Sequence, residues 1–562
     1  MARKTITAVN HYDVFPFNHG GSLGIRGLYK ALSEWVDVNI VTIVREHVYA
    51  DEVWINNHVR VIPLYVPVEY EKGCIEEFKK TKKILDNDDV DVDQVFMRYF
   101  CKNEDIIEKI RKITEDSILV LAEHTYTWRV VKKACVDKPI WYRANNVEYD
   151  YKKNLYKDKY FKDSYLKFLY DFEKECCVNC EKVLTVSQIE ADRFIDLYNI
   201  PASMQDKFMD IKSGYDTDSV NPIYPSERKI FDDGYSYHGL YIASATKNAL
   251  DAAKYCVELA KAYDDIKIFV VGSVYSLLEK EERIAIPPNV EVMGIVSDET
   301  KEELLRTCDF AMNLMESGAG INIKMFEYFA YGIPVIATEY GARGIEIENG
   351  KNGIITTTDK YKEDIRAFLD SDKAYKDSIA KNARMLLEDV YSWRSLAKKI
   401  VCEIESMYGY ELLKDAVSLS DISLYTRFNN PSIFPKGEFF IRCAGMYGLA
   451  TLDYLEAKGY KPQAFVDSDT EKIESGINGI KVISLEEYEH YHKDKDIIVS
   501  ANKWEQIVAD LLSRGVEANH IYISYHISGE CIVRLSDLKG RIGYYDWEKR
   551  RKDIYAMAGY NK

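Results

Sequence analysis

Short apolar runs rich in Val, Ile and aromatic residues alternate along this chain with longer amphipathic stretches, and that alternation is what most limits its fold. A short apolar run needs a sheet to satisfy its backbone, and an amphipathic helix between two such runs covers one face of a parallel sheet. The first unit reads as the strand of TITAVNHYDVFP, a turn at HGGS, the helix LGIRGLYKALSEW and the strand VNIVTIV. Further strands are predicted at VRVIPLYV, QVFMRYF, SILVLAEHT, KPIWYRANN and KVLTVS, and a first domain is placed over residues 1–225. A second series runs through HGLYIASA, IKIFVVG, NVEVMGIV, FAMNLM, PVIATEYG and GIITT to the helix RSLAKKIVCEIESMYG, giving a domain over 226–415.

The segment SDISLYTRFNNPSIFPKGE carries prolines and polar turn formers and reads as a linker. A smaller unit over 430–562 follows, with FFIRCAGMYGLATLDYLEAKGY, KPQAFVDSD, IKVISLEEY, KDIIVSAN and ANHIYIS. The expected class is α/β, with two Rossmann-like domains facing a cleft and a smaller Rossmann-like domain at the C-terminal end.

The 562 residues carry a formal net charge of −16. That argues against a nucleic-acid partner, because phosphate contacts need clustered Lys and Arg. Peripheral membrane contact stays open, since net charge does not report distribution. The start, MARKTITAVNHYDVFPF, has no signal-peptide core, and no run of about 18 apolar residues occurs. The 11 cysteines are scattered, which reads as free thiols in a reducing cytoplasm. Cys176, Cys177 and Cys180 cluster but lack a second ligand pair at zinc spacing, so no metal is expected there.

The most informative segment is MESGAGINIKMFEYFAYGIPVIATEYGARG, residues 315–344. Gly318 and Gly320 precede a helical run, where backbone amides and the helix N-terminus favour an anion. Lys324 falls near the first turn and can neutralise a pyrophosphate. Glu327, three residues on, shares its face and can accept hydrogen bonds from two ribose hydroxyls. Pro334 then starts the next strand.

This order resembles the donor-binding motif of GT-B glycosyltransferases, particularly the large retaining family 4: a Gly-rich loop, a Lys, a Glu and a Gly-x-Pro-Val strand. The resemblance implies that Lys324 contacts the donor pyrophosphate and Glu327 the ribose. The family often has a second Glu eight residues before the ribose Glu; here that position is Ala319, and Glu316 is out of register. Backbone amides from Gly318 to Ile321, through Ala319 and Gly320, are the substitutes. Weaker matches extend the resemblance over roughly residues 5–410. HGGSLGIRGL is similar to the N-terminal loop facing the donor phosphates, with Gly20, Gly21 and Ser22 at its centre. RANNVEYDY is similar to the R-x-H-N-x-E segment, with Asn145 in the His position and Asn146 and Glu148 matching. ATKNALDAA is similar to the first loop and helix of the donor domain, placing Lys247 and Asn248 at the cleft. His124, which with Glu123 ends the strand SILVLAEHT, resembles the histidine that lies near the transferred sugar.

The resemblance implies transfer of a sugar from a nucleotide-diphosphate sugar to a hydroxyl on a carbohydrate, lipid-linked or protein acceptor. Configuration is retained, no metal or cofactor takes part, and the product belongs to a surface polysaccharide or glycoconjugate. His124, Lys324 and Glu327 are the catalytic candidates; Arg143, Asn146 and Glu148 either orient the acceptor or brace the N-terminal loops. Two alternatives remain: a sugar-nucleotide epimerase of the same fold, and a non-catalytic scaffold in polysaccharide assembly. In the third domain, Gly445 and Gly448 match the last two glycines of G-x-G-x-x-G with Cys443 at the first, and Asp467 ends the next strand. A nucleotide ligand and a protein partner are equal expectations for it.

Overall fold

A computed structural model describes residues 3–12, 14, 20–44, 52–82, 90–156, 159, 162–229, 231–278, 284–317, 321–418, 434–457, 459–501, 504–525, 531–537, 541–542, 545–546, 554 and 557–558. Two compact units divide the chain. Met1–Gly214 with Trp393–Tyr425 form the first, and Tyr215–Ser392 with Thr426–Lys562 form the second. The helix Trp393–Tyr408, which the sequence reading attached to residues 226–415, therefore packs in the first unit.

The first unit is built on one sheet of β1 (Thr5–Asn10), β2 (Asp37–Val44), β3 (Val53–Asn56), β4 (Val59–Tyr65), β5 (Ser117–Glu123), β6 (Ile140–Arg143), β7 (Lys182–Thr185) and β8 (Phe208–Asp210), in the order β3-β4-β2-β1-β5-β6-β7-β8. All neighbours are parallel except β3 and β4. β1 and β2 are buried along almost their whole length rather than on alternate residues, as expected where helices cover both faces. Each fully buried Ile, Val or Leu there contributes about 1.5–3 kcal/mol.

QVFMRYF is not a strand. Its first six residues lie in the helix Val92–Tyr99, whose N-terminus Asp91 caps by accepting from the Gln94 amide, and Phe100 opens the 3-10 turn Phe100–Lys102. Val95, Phe96 and Tyr99 bury on the inner side. The cap and the i, i+4 spacing prevail over a β-rich composition in so short a run.

The helix Gly20–Leu32 packs closely against the helix Trp393–Tyr408, with Gly27 as the contact point. A Cβ on Gly27 would come within 2.1 Å of Trp393 Nε1, and one on Gly214 within 2.6 Å of the same ring. The indole occupies the room that two missing side chains leave.

The second unit contains two six-stranded sheets, besides the small antiparallel pair Arg541–Ile542 and Tyr545–Asp546. β9 (Tyr237–Ile242), β10 (Ile266–Val271), β11 (Val290–Gly294), β12 (Phe310–Asn313), β13 (Val335–Thr338) and β14 (Ile354–Thr356) are all parallel, in the order β11-β10-β9-β12-β13-β14. β15 (Phe439–Arg442), β16 (Ala464–Val466), β17 (Val482–Ile483), β18 (Asp496–Val499), β19 (Ile521–Tyr525) and β20 (Cys531–Arg534) follow the order β17-β16-β15-β18-β19-β20, with β20 antiparallel. In both sheets the order reverses beside the first strand, and ligands of open α/β sheets bind outside the strand ends at such a switch point.

In the last sheet, Gly448 has the close-packing role of a third motif glycine. A Cβ there would sit 1.9 Å from the Cys443 carbonyl oxygen. Cys443, at the first motif position, holds φ at +79°, a region that favours glycine. Asp467 is turned inward: its carboxylate accepts the amides of Ala444 at 2.6 Å, Ser468 at 2.8 Å and Asp469 at 3.1 Å. These bonds bind the two loops of the sheet to each other and use the carboxylate that a ribose would need.

Candidate functional site

The donor-side residues collect around the end of β12 in the second unit. Gly318, Ala319 and Gly320 lie outside the described residues, but both ends of their loop are fixed. Asn313, at the end of β12, and Asn322, beyond the loop, each donate a side-chain amide to the Gly341 carbonyl at 2.7 Å. Two anchors on one oxygen hold the flanks of the loop together. Gly341 has no room for a side chain, since a Cβ would lie 2.0 Å from the Asn313 carbonyl oxygen. Ile321 packs partly buried against the core beneath and lies against Gly344.

Glu316 is bound on the same side of the sheet. It accepts from Tyr255 at 2.6 Å and from Thr358 at 3.0 Å, so its carboxylate is engaged within the unit. Lys247 and Asn248 open the helix Lys247–Ala262, capped by Thr246. Asn248 accepts a 2.7 Å hydrogen bond from Ser317, the residue before Gly318, so these positions do lie together.

Lys324 opens the helix Lys324–Ala330. Its ammonium lies 4.7 Å from the centre of the Tyr241 ring, and among the described residues no carboxylate is within ion-pair reach. Burial pushes the ammonium down to about 8, with Cys256 acting weakly the other way. A half-buried cation without a counter-ion carries part of the cost of desolvation, and an anionic ligand offsets it.

Glu327 is placed differently. It pairs with Lys301, at 3.0 Å, from the helix Asp298–Thr307. Burial alone would lower the Lys301 ammonium, but Glu327 and Asp298 together outweigh it and hold Lys301 above its ordinary range. Lys301 was not singled out in the sequence, because a Lys inside KEELLR reads as a solvated helix face.

The acceptor-side candidates gather in the first unit at the ends of β5 and β6. The donor-binding candidates Gly20, Gly21 and Ser22 also belong to this unit, where they form the first turn of the helix Gly20–Leu32, and Ser22 is fully buried. Glu123 is buried and pairs with Arg143 at 2.8 Å. Tyr29 donates its hydroxyl to the other carboxylate oxygen. Burial opposes the Arg143 charge, but Glu123 outweighs it and raises the guanidinium above its ordinary range. Of the two roles open to Arg143, bracing the loops is the one with contacts here.

His124 has φ at +61° and ψ at 157°, a conformation that costs a non-glycine residue about 1–3 kcal/mol. Its amide is held by the Arg143 carbonyl at 3.0 Å. Asn145 donates its side-chain amide to His124 Nε2 at 2.7 Å, which puts the ring proton on Nδ1, 3.6 Å from Glu148. The His11 and Tyr126 rings flank the imidazole, at 5.3 Å and 6.0 Å between centres.

Glu148 is buried and also accepts from Tyr126 at 2.6 Å and from Asn146 at 3.3 Å. Burial would raise its carboxyl, but the His124, Tyr126 and Asn146 contacts prevail and hold it below the usual range. Behind it lies Glu173, which the sequence did not mark. Burial, together with the Glu148 charge, pushes Glu173 up to about 8, against hydrogen bonds from Tyr198 and the amides of Glu148 and Tyr149. The two buried carboxyls are thus shifted in opposite directions, Glu148 down and Glu173 up.

Cys176, Cys177 and Cys180 are buried free thiols, and burial pushes all three above their ordinary range. Among the described residues no group of three or more His, Cys, Asp or Glu could hold a metal ion, and no helix is long and apolar enough to cross a membrane.

Residues 237–371 match the family model described as Glycosyl transferases group 1. The chain is 33% identical over 86 residues to a chitobiosyldiphosphodolichol beta-mannosyltransferase of Debaryomyces hansenii, covering 15% of this chain and 18% of that protein. It is 28% identical over 112 residues to the protein of the same name from Eremothecium gossypii, covering 20% of this chain and 23% of that one. The chain therefore matches about a fifth of the length of these relatives. Among solved structures, sucrose-phosphate synthase from Thermosynechococcus elongatus overlays with a TM-score of 0.50 at 14% identity, covering 72% of this chain and 100% of that one. That likeness is one of fold, and the fold is GT-B.

Proposed function

From a chain whose residues 237–371 form a glycosyl transferases group 1 domain, we propose that this protein transfers a sugar from a nucleotide-diphosphate sugar to a hydroxyl acceptor. Lys324 is the observation that carries the reading. It is a half-buried ammonium without a carboxylate partner among the described residues, at the start of the helix Lys324–Ala330. A diphosphate leaving group needs a positive charge and amide dipoles fixed in advance, where they cost no reorganisation. Lys324 supplies the charge, and the loop from Gly318 to Ile321 supplies the amides. Glu327, paired with Lys301, accepts the ribose hydroxyls. Gly20, Gly21 and Ser22 are the phosphate-facing turn of the first unit.

On the acceptor side, His124 stands at a strained strand end with its tautomer fixed by Asn145. Asn146 and Glu148 complete its surroundings. We read the reaction as retaining, metal-independent and cytoplasmic, with a surface polysaccharide or glycoconjugate as product. The acceptor is a carbohydrate, a lipid-linked sugar or a protein.

The test is a thermal-shift screen with UDP, GDP, ADP, CMP and dTDP, followed by mass analysis of products from the matching nucleotide sugars. One nucleotide is expected to raise the melting temperature, and Lys324→Ala to abolish the rise. A flat response across the panel overturns the reading. Conversion of donor without acceptor identifies an epimerase, and binding without turnover on any acceptor identifies a scaffold.

A further inference from the structure

The body of the third sheet reaches the donor side through Asp453. Asp453, on the helix Met446–Ala457 that follows the Cys443–Gly445 turn, reaches the N-terminus of the helix Asp298–Thr307. One carboxylate oxygen accepts the Ser297 amide at 3.0 Å and the Thr300 hydroxyl at 3.0 Å. Ser297 is also the helix cap: its hydroxyl accepts the Thr300 amide at 3.1 Å and lies 3.1 Å from the Thr300 hydroxyl. The orphan amides of this helix are thus shared between its own cap and a residue more than 150 positions away. A carboxylate at that end is also favoured by the helix dipole.

One residue beyond Thr300 is Lys301, the partner of Glu327. Asp453, Thr300, Lys301 and Glu327 therefore form a continuous set of contacts from the third sheet to the residue assigned to the donor ribose. We infer that Asp453 is a positioning residue for the donor site, and that the third α/β body serves to fix the 298–307 helix so that Lys301 holds Glu327 in its ribose-binding place. The inference rests on the proposed nucleotide-sugar reading. It gives residues 434–537 a task that needs no ligand of their own, in keeping with an Asp467 carboxylate turned onto its own loops.

A docking contact alone and a positioning contact make different demands. Docking predicts a loss of thermal stability with donor affinity unchanged. Positioning predicts that donor affinity falls and that the fall passes through Lys301.

The experiment titrates the full chain with UDP, GDP and ADP and carries the tightest binder forward to Asp453→Ala, Lys301→Met and the double variant. The expected result is an affinity loss of about fivefold for Asp453→Ala, the equivalent of about 1 kcal/mol. In the Lys301→Met background, the same change is expected to cost no further affinity. Asp453→Glu should recover part of the loss. With the matching nucleotide sugar, the donor KM should rise while kcat stays within about twofold, as expected for lost uniform binding.

Unchanged affinity in Asp453→Ala, or equal losses with and without Lys301, overturns the inference and leaves the donor-site reading standing. No binding of any nucleotide by the wild type overturns both. If Asp453→Ala does not fold, Thr300→Val removes one of the two bonds and must show the same dependence on Lys301.

Discussion

Asn145 donates its side-chain amide to Nε2 of His124 across 2.7 Å, and so decides which nitrogen of that ring carries the proton. Asn145 occupies the place where the resembling segment carries a histidine, so a neutral amide performs the orientation. In Asn145→Ala, Nε2 loses its donor and the neutral ring redistributes between tautomers. Nitrogen NMR of the imidazole should show the change. Turnover should fall about fivefold, the worth of one neutral hydrogen bond. A ring spectrum identical to wild type would remove Asn145 from this role.

Lys324 makes nucleotide binding depend on pH. Its ammonium titrates near 8 in the free protein, and a bound diphosphate raises that value. Affinity should therefore be level below about pH 7 and weaken as pH rises past 8, approaching tenfold per pH unit until the bound-state value is reached. Lys324→Met should bind about 10–100-fold more weakly and lose this dependence. Calorimetric titration at several pH values checks both.

The same residue has the opposite linkage for folding. Its folded value lies below the unfolded 10.5, so the unfolded chain binds more protons between about 8 and 10.5, and stability from this group rises with pH across that window. Glu173 runs the other way. Its folded value is raised to about 8 from 4.5, so its contribution is full below about 4.5 and is lost as pH rises to 8. Thermal unfolding of the wild type from pH 5 to 8 should show this decline, and Glu173→Gln should flatten it. An unchanged slope in the variant would place the proton elsewhere.

Gly27 and Gly214 make room for Trp393. Gly27→Ala forces a methyl against the indole, and such overpacking costs about 1–3 kcal/mol. At about 2–4 °C for each kcal/mol, the melting temperature of the first unit should fall measurably. Gly27→Ala with Trp393→Leu should recover part of the loss.

Cys443 pays for a positive φ that glycine adopts freely. Cys443→Gly should stabilise the third sheet by up to about 1 kcal/mol, seen as slower exchange of the β15 and β18 amides.

The sequence by itself determined the layering, because buried parallel strands must be continuously apolar and their helices amphipathic. HGLYIASA, IKIFVVG and PVIATEYG could be placed as strands for that reason. It also marked Lys324 and Glu327, whose spacing and glycine context are local. It misjudged QVFMRYF, where composition favours a strand and a single capping aspartate favours a helix. What only the tertiary structure decided depends on partners distant in the chain. Lys301 faces Glu327 across two elements, Asn313 and Asn322 meet on Gly341, and Asp453 reaches Ser297 from another sheet. Glu173 and Asn145 gain their meaning from burial and from the groups they touch, not from their neighbours in sequence. A hydrogen bond or a displaced pKa belongs to a place in space, and no local pattern records which distant residue will share that place.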